Sequence, residues 1–292
     1  MNKLLVLFGL AALAEVVLGG PGLTVRFDVG LNMGTKFFIP VPHNRAMAEE
    51  KGWKKYERAT KDRPLLKDMY CGESLTCCVL MDDNGYAGGF QTAYEKKKFK
   101  NPVFDWEIQG YTTWKVKVNG VEKEYWVITQ YFVSDEYLAY SKEARKQSYD
   151  NSQLLQEQYV WFTGFHGKLY KVPVRGDKIP DAGFTEQNCI PWMGHHYYWN
   201  MTKDTECTDD NIHPYFPLVK SNRIVGAGSL TAGIMEFDKD ETDYCEKPAK
   251  AAVQLIVNKG PQCLYDLAEK PGFTTMHVYY VDDPYWITCV FQ

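Results

Sequence analysis

Past its first fourteen residues the chain has no apolar run approaching the roughly 20 residues that a membrane-spanning helix requires. It lacks a strong charge of either sign. Its 33 Lys and Arg against 37 Asp and Glu leave −4 at neutral pH, which gives no reason to expect nucleic acid as a partner. The G-x-S-x-G, H-E-x-x-H, phosphate-loop and dinucleotide fingerprints are all missing. That removes the common extracellular hydrolase and metalloprotease readings, while leaving room for a triad assembled without a local motif. There is no C-x-x-C pair, and the cysteine spacings do not repeat in the manner of a zinc ribbon.

What is present begins with Leu4–Ala14 (LLVLFGLAALA), preceded by Lys3 and followed by Val17 and Gly19 at the −3 and −1 positions of a cleavage site. Residues 1–19 therefore read as a secretory signal peptide, and the product is expected to be soluble, extracellular and without a membrane span. In that setting the eight cysteines (Cys71, Cys77, Cys78, Cys189, Cys207, Cys245, Cys263 and Cys289) read as disulfide chemistry. Their even number predicts four bonds, with the connectivity open. Adjacent Cys77 and Cys78 would face opposite ways on a strand and so take different partners.

Aromatic residues are the compositional outlier: 20 Tyr, 15 Phe and 8 Trp favour strands and large contact surfaces. Strand-like segments dominate. Leu23–Leu31 and Thr35–Val41 come first, then Ser74–Met81 turns through Asp83-Asn84-Gly85 into Ala87–Tyr94. Trp114, Val116 and Val118 alternate with Lys115 and Lys117, and Asn119-Gly120 reverses the chain into Tyr125–Val133. Lys168–Val174, Tyr215–Val219, Ile224–Phe237, Ala251–Val257, Thr274–Val281 and Tyr285–Phe291 continue the pattern. Helix is expected at Ala46–Ala59, and a helix or solvated connector at Glu136–Gln158. The fold class is therefore mainly β: antiparallel sandwich or barrel-like sheets with few short helices, stabilised by disulfides.

Two signatures recur in the same order. Asp82–Ala93 (DDNGYAGGFQTA) resembles Lys220–Thr231 (KSNRIVGAGSLT), and Tyr131–Leu138 (YFVSDEYL) resembles Tyr280–Ile287 (YVDDPYWI). They suggest two diverged β-rich repeats, an N-terminal unit over 20–150 and a cysteine-rich unit over 151–292, joined within Lys142–Tyr159. Two similar hairpins, of a kind any antiparallel protein contains, would give the same matches.

The densest candidate site is Pro191–Asn200 (PWMGHHYYWN), where Trp192, His195, His196, Tyr197, Tyr198 and Trp199 cluster, with His213 downstream. Three imidazoles suit copper or zinc, so His195, His196 and His213 form a candidate metal set, with copper or no cofactor expected. A His-His pair ahead of a cysteine is similar to secreted copper monooxygenases, but their second His-x-His pair is missing here. Neighbours on a strand face opposite ways, so only one of His195 and His196 should face inward. The acidic cluster Glu236, Asp238, Asp240, Glu241 and Asp243 reads as a solvated turn or a calcium site. The basic run Lys96–Lys100 reads as a solvated loop or a polyanion patch. Arg175-Gly176-Asp177 is a candidate receptor tripeptide, and Asn200-Met201-Thr202 is a glycosylation sequon.

Three functions compete. One is an extracellular binding or recognition protein with an aromatic-lined site for a small hydrophobic or aromatic ligand. The second is an oxygen-using oxidoreductase, copper-dependent or of the cofactor-free luciferase type. The third is a matrix component. In the first two, the Trp192–Trp199 segment lines the pocket.

Overall fold

The computed structural model describes residues 21–27 and 37–289. The expected signal segment, and parts of the strands expected at Leu23–Leu31, Thr35–Val41 and Tyr285–Phe291, lie outside those residues. Two antiparallel sheets form the body. One runs, edge to edge, Lys54–Tyr56, Asp68–Cys71, Cys77–Met81, Ala87–Glu95, Val121–Tyr131, Tyr159–Thr163 and Leu169–Pro173, with Thr112–Val118 also paired to Val121–Tyr131. The other runs Phe184–Ile190, Gly194–Trp199, Tyr215–Lys220, Arg223–Ala232, Phe273–Val281, Pro21–Val25 and Ile39–Pro40. Turn chemistry sets several of these reversals. At Asn119-Gly120 both residues have positive φ (50° and 84°), as a two-residue hairpin turn demands.

The sheets pack face to face as a sandwich. Val79, Phe90, Tyr94, Ile128 and Phe162 of the first sheet share one core with Tyr215, Ala227, Met276, Val278 and Tyr280 of the second. The Phe162 and Tyr215 rings stack across the interface at 5.1 Å, and the Tyr280 hydroxyl donates to Gln130 Oε1. Period-two alternation sends the intervening side chains of each strand to the two outer faces, each of which holds a further apolar cluster.

The two strand orders are the same. Five strands of each sheet follow one another from one edge, and the last two come from the other half of the chain: Tyr159–Thr163 and Leu169–Pro173 complete the first sheet, Pro21–Val25 and Ile39–Pro40 the second. In both sheets the hairpin joining the third and fourth strands carries an irregularity at the same place, Leu80/Met81 and Leu218/Val219. Both receive the preceding chain alike, Ala87 N donating to His43 O and Ile224 N to Val174 O. The paired sequence signatures fall on matching strands but are one residue out of step. Gly89 opposite Tyr131 corresponds to Gly226, not Ala227, opposite Tyr279, not Tyr280. The division near residue 150 does not separate two cores, because each half lends two strands to the other's sheet.

Local expectations need correction at four places. Helix Arg45–Glu50, capped by Asn44 Oδ1 on Met47 N at 2.9 Å, stops short of residue 59. Gly52 at φ 69° turns the chain, and Lys54–Tyr56 pairs as an edge strand instead. Glu136–Gln158 breaks into helices Asp135–Ala139 and Lys142–Ser148, each capped by a serine, followed by turns. The expected strand Ala251–Val257 is helix Lys250–Ile256, and helix Gln262–Glu269 follows it. Tyr285 lies in a 3-10 turn, Pro284–Trp286, rather than a strand.

Three disulfides form rather than four: Cys71–Cys78, Cys189–Cys289 and Cys207–Cys263. Cys77 and Cys78 do face opposite ways, and only Cys78 is bonded. Cys77 and Cys245 are buried free thiols, with Cys77 Sγ 3.9 Å from Met276 Sδ in the inter-sheet core.

Candidate ligand cavity

On the outer face of the second sheet, beneath helices Lys250–Ile256 and Gln262–Glu269, lies a cavity of about 510 Å³. Its floor comes from four successive strands of the sheet: His196 and Tyr198, then Phe216, then Leu230, then Thr275 and His277. Its roof is Ala252, Val253, Ile256, Val257 and Leu264 from the helices, with Phe27 and Met193 closing the sides. Gly228 shapes the floor. A Cβ at this position would lie 2.0 Å from Phe216 Cζ, so only glycine lets the phenyl ring lie across the strand.

The floor is an aromatic box. Phe216 stacks on Tyr198 at 4.7 Å and on His196 at 5.6 Å, and His277 meets Phe216 edge-on at 5.4 Å. The two imidazoles face each other nearly at right angles, with ring centres 5.9 Å apart. His196 is fully buried, and neither of its ring nitrogens makes a well-aligned hydrogen bond, with the backbones of Asn188 and Gly194 lying within reach. Burial first, and the neighbouring His277 second, lower its pKa to about 3, so it is neutral at physiological pH.

Glu246 sits at the edge of the box and is fixed by three neighbours. It accepts from Phe27 N at 2.7 Å and from Thr275 Oγ1 at 2.9 Å, and its Oε2 lies 3.2 Å from His277 Nδ1. That last contact is an ion-pair distance off the line of a full hydrogen bond. A carboxylate only accepts, so it favours a proton on His277 Nδ1, and Nε2 has no hydrogen-bond partner. Toward solvent the lining ends in Arg26, Asp243 and Lys247. Arg26 Nη1 donates to Asp243 O at 2.6 Å, and Lys247 Nζ stands 3.9 Å from the Asp243 carboxylate.

The sequence-derived candidates divide between the sheet's two faces. His196, Tyr198 and the nearby Met193 reach the cavity, whereas His195, Tyr197 and Trp199 lie on alternate positions. Tyr197 and Trp199 pack with the inter-sheet core. His195 Nδ1 lies 2.8 Å from Glu186 Oε1. Trp192 packs edge-on against Phe37 at 5.8 Å. His213 is buried among Phe165, Tyr170, Phe184 and Trp199, takes a hydrogen bond from Tyr215 N at 3.1 Å, and has its pKa lowered by burial to about 4. The three histidines expected as a metal set are thus dispersed. Among the described residues no three His, Cys, Asp or Glu side chains are placed to hold a metal ion.

Other sequence features find ordinary partners. The basic run and the acidic cluster meet: Phe99–Lys100 pairs with Ile234–Met235, and Lys98 Nζ lies 2.6 Å from both Asp238 and Glu241. Within Arg175-Gly176-Asp177 the guanidinium grips the carboxylate at 2.8 and 3.0 Å, so the tripeptide closes on itself. Asn200 is exposed at the end of strand Gly194–Trp199.

Sequence reasoning missed His277, Glu246, Phe216 and the helical roof. Alternation in Phe273–Val281 (FTTMHVYYV) already places Thr275, His277 and Tyr279 on one face. What no local pattern shows is that this face lies beside His196. No known protein family, no curated protein sequence and no solved structure matches the chain.

Proposed function

We propose that the protein is a secreted binding protein that holds a small apolar molecule in the cavity between the second sheet and its two covering helices. The single observation carrying this reading is the cavity itself: about 510 Å³, walled by aliphatic and aromatic side chains, with a few polar groups grouped at one place. Three disulfides, and no helix among the described residues long and apolar enough to cross a membrane, are consistent with an extracellular carrier or receptor. The copper-dependent alternative loses the feature that motivated it, since His195, His196 and His213 do not converge.

Titration with the neutral fluorophore N-phenyl-1-naphthylamine tests the proposal. Saturable binding of one molecule per chain is expected, and Ala252→Trp, which fills the cavity from its roof, should abolish it while circular dichroism and melting stay near wild type. Absence of saturable binding, or binding indifferent to Ala252→Trp, would overturn the reading.

A further inference from the structure

The polar groups of the cavity constrain what it holds. Besides histidine, the lining side chains that carry a formal charge are two cations, Arg26 and Lys247, and two anions, Asp243 and Glu246. Both cations stand beside Asp243, Arg26 Nη1 donating to its backbone oxygen and the Lys247 side chain 40% exposed. Deep in the box, where the His277 side chain is 6% exposed and His196 is fully buried, the nearest formal charge is the Glu246 carboxylate. Neutral His196 offers no compensating cation there. An ionised acid placed on the floor would meet a fixed negative charge in a dry, low-dielectric site, where repulsion is least screened.

The unmet hydrogen-bonding capacity is of the opposite kind. His277 Nε2 has no hydrogen-bond partner, and neither ring nitrogen of His196 makes a well-aligned hydrogen bond, only the backbones of Asn188 and Gly194 lying within reach. Buried polar atoms of this sort are normally satisfied, and leaving them unpaired is costly. A hydroxyl can answer both rings, because it donates through its hydrogen and accepts through its lone pairs. The near-perpendicular imidazoles, 5.9 Å apart, frame one small oxygen rather than a planar bidentate group.

We propose that the occupant is an uncharged molecule, an apolar body bearing one hydroxyl, whose oxygen sits between His196 and His277. This rests on the binding reading above and narrows it to a chemical class. Three probes with a common 12-carbon chain separate the two claims: 1-dodecanol, its methyl ether, and dodecanoate at pH 7.5. Each is used to displace N-phenyl-1-naphthylamine from the full chain.

The alcohol should displace at least fivefold more effectively than the ether, which lacks the donor, and at least tenfold more effectively than the acid. Glu246→Gln keeps the shape but removes the charge, so it should improve the acid at least fivefold relative to the alcohol. If the fluorophore fails to bind wild-type protein, the binding reading itself falls. If it binds but the ether matches the alcohol, or the acid competes as well as the alcohol, or Glu246→Gln leaves the acid unimproved, the hydroxyl assignment is overturned and the cavity stands.

Discussion

The outer faces of the two sheets start from one strand order and end in opposite states. On the first sheet, Met69, Leu80, Trp114, Tyr131 and Trp161 pack to closure beneath the segment around Leu66, with the Cys71–Cys78 bond joining neighbouring strands. Arg63 helps seal it, its guanidinium 4.9 Å over Trp161 and paired with Asp135. On the second sheet two of the matching positions carry imidazoles. His196 stands where the first sheet has Met69, and His277 where it has Thr129. Two short helices bridge that face without filling it. Backbone topology therefore does not decide whether a face becomes core or cavity. The side chains and the covering segment do.

The contrast can be broken most forcefully through the cross-links. Cys189–Cys289 closes a separation of 100 residues and Cys71–Cys78 one of 7. In the loop-entropy account, replacing the first pair by alanine should cost about 4–5 kcal/mol and the second about 2–3 kcal/mol. Urea unfolding of the two double variants measures this, and equal losses would show that native packing, not chain entropy, sets their worth.

A gentler break removes one leucine from each face. Leu80→Ala in the closed face should cost about 2–5 kcal/mol, whereas Leu230→Ala, on the rim of an existing cavity, should fall at or below about 2 kcal/mol. Leu80 is fully buried and has neighbours on all sides. Leu230 already borders empty space. Denaturation midpoints compared at constant m-value decide it, and a larger loss at Leu230 would contradict the description of the cavity.

Acid should sharpen the comparison. His196 and His213, with pKa values lowered to about 3 and about 4 by burial, belong to the second half, and no histidine occupies the matching positions of the first sheet's outer face. For a base whose folded pKa is depressed, the unfolded chain binds the extra proton. Their contribution is thus intact above about pH 6.5 and is lost as pH falls below it, at about 1.4 kcal/mol per pH unit per histidine. The loss ends near pH 4 for His213 and near pH 3 for His196. Hydrogen exchange from pH 7 to 5 should weaken Gly194–Trp199 before Cys77–Met81, and His213→Phe should flatten part of the slope.

The smallest effect concerns the thiols. Burial raises the Cys77 and Cys245 thiols well above their ordinary pKa. Alkylation without reductant should add nothing to the folded chain and two labels after unfolding. Labels on native protein would place at least one thiol outside the core.

Much of the fold is legible locally. Asn119-Gly120 and Gly85 set hairpins because few residues accept their positive φ, and alternation in 114–118 marks a strand half-buried on one face, while 274–281 divides between two buried faces. Ala251–Val257 misled because its apolar residues suit either period over so short a span, and only the sheet face it covers makes it helical. The candidate site was half legible. An aromatic, histidine-bearing segment stood out, and alternation limited the cavity to one of His195 and His196, but not to which.

The β class, the turn positions and the opposite facing of Cys77 and Cys78 are legible in the sequence alone. Each of these depends on backbone angles or two-residue periodicity, which neighbouring residues dictate. Tertiary packing selects which cysteines bond, sets Lys98 against Asp238 and Glu241, exchanges strands between the halves, and brings His196, His277 and Glu246 together. Those outcomes depend on which strands become neighbours. His196 and His277 stand 81 positions apart in the chain and are brought together by strands Tyr215–Lys220 and Arg223–Ala232 between them. Long-range pairing of that kind follows from the packing of the whole sandwich rather than from any local run of residues.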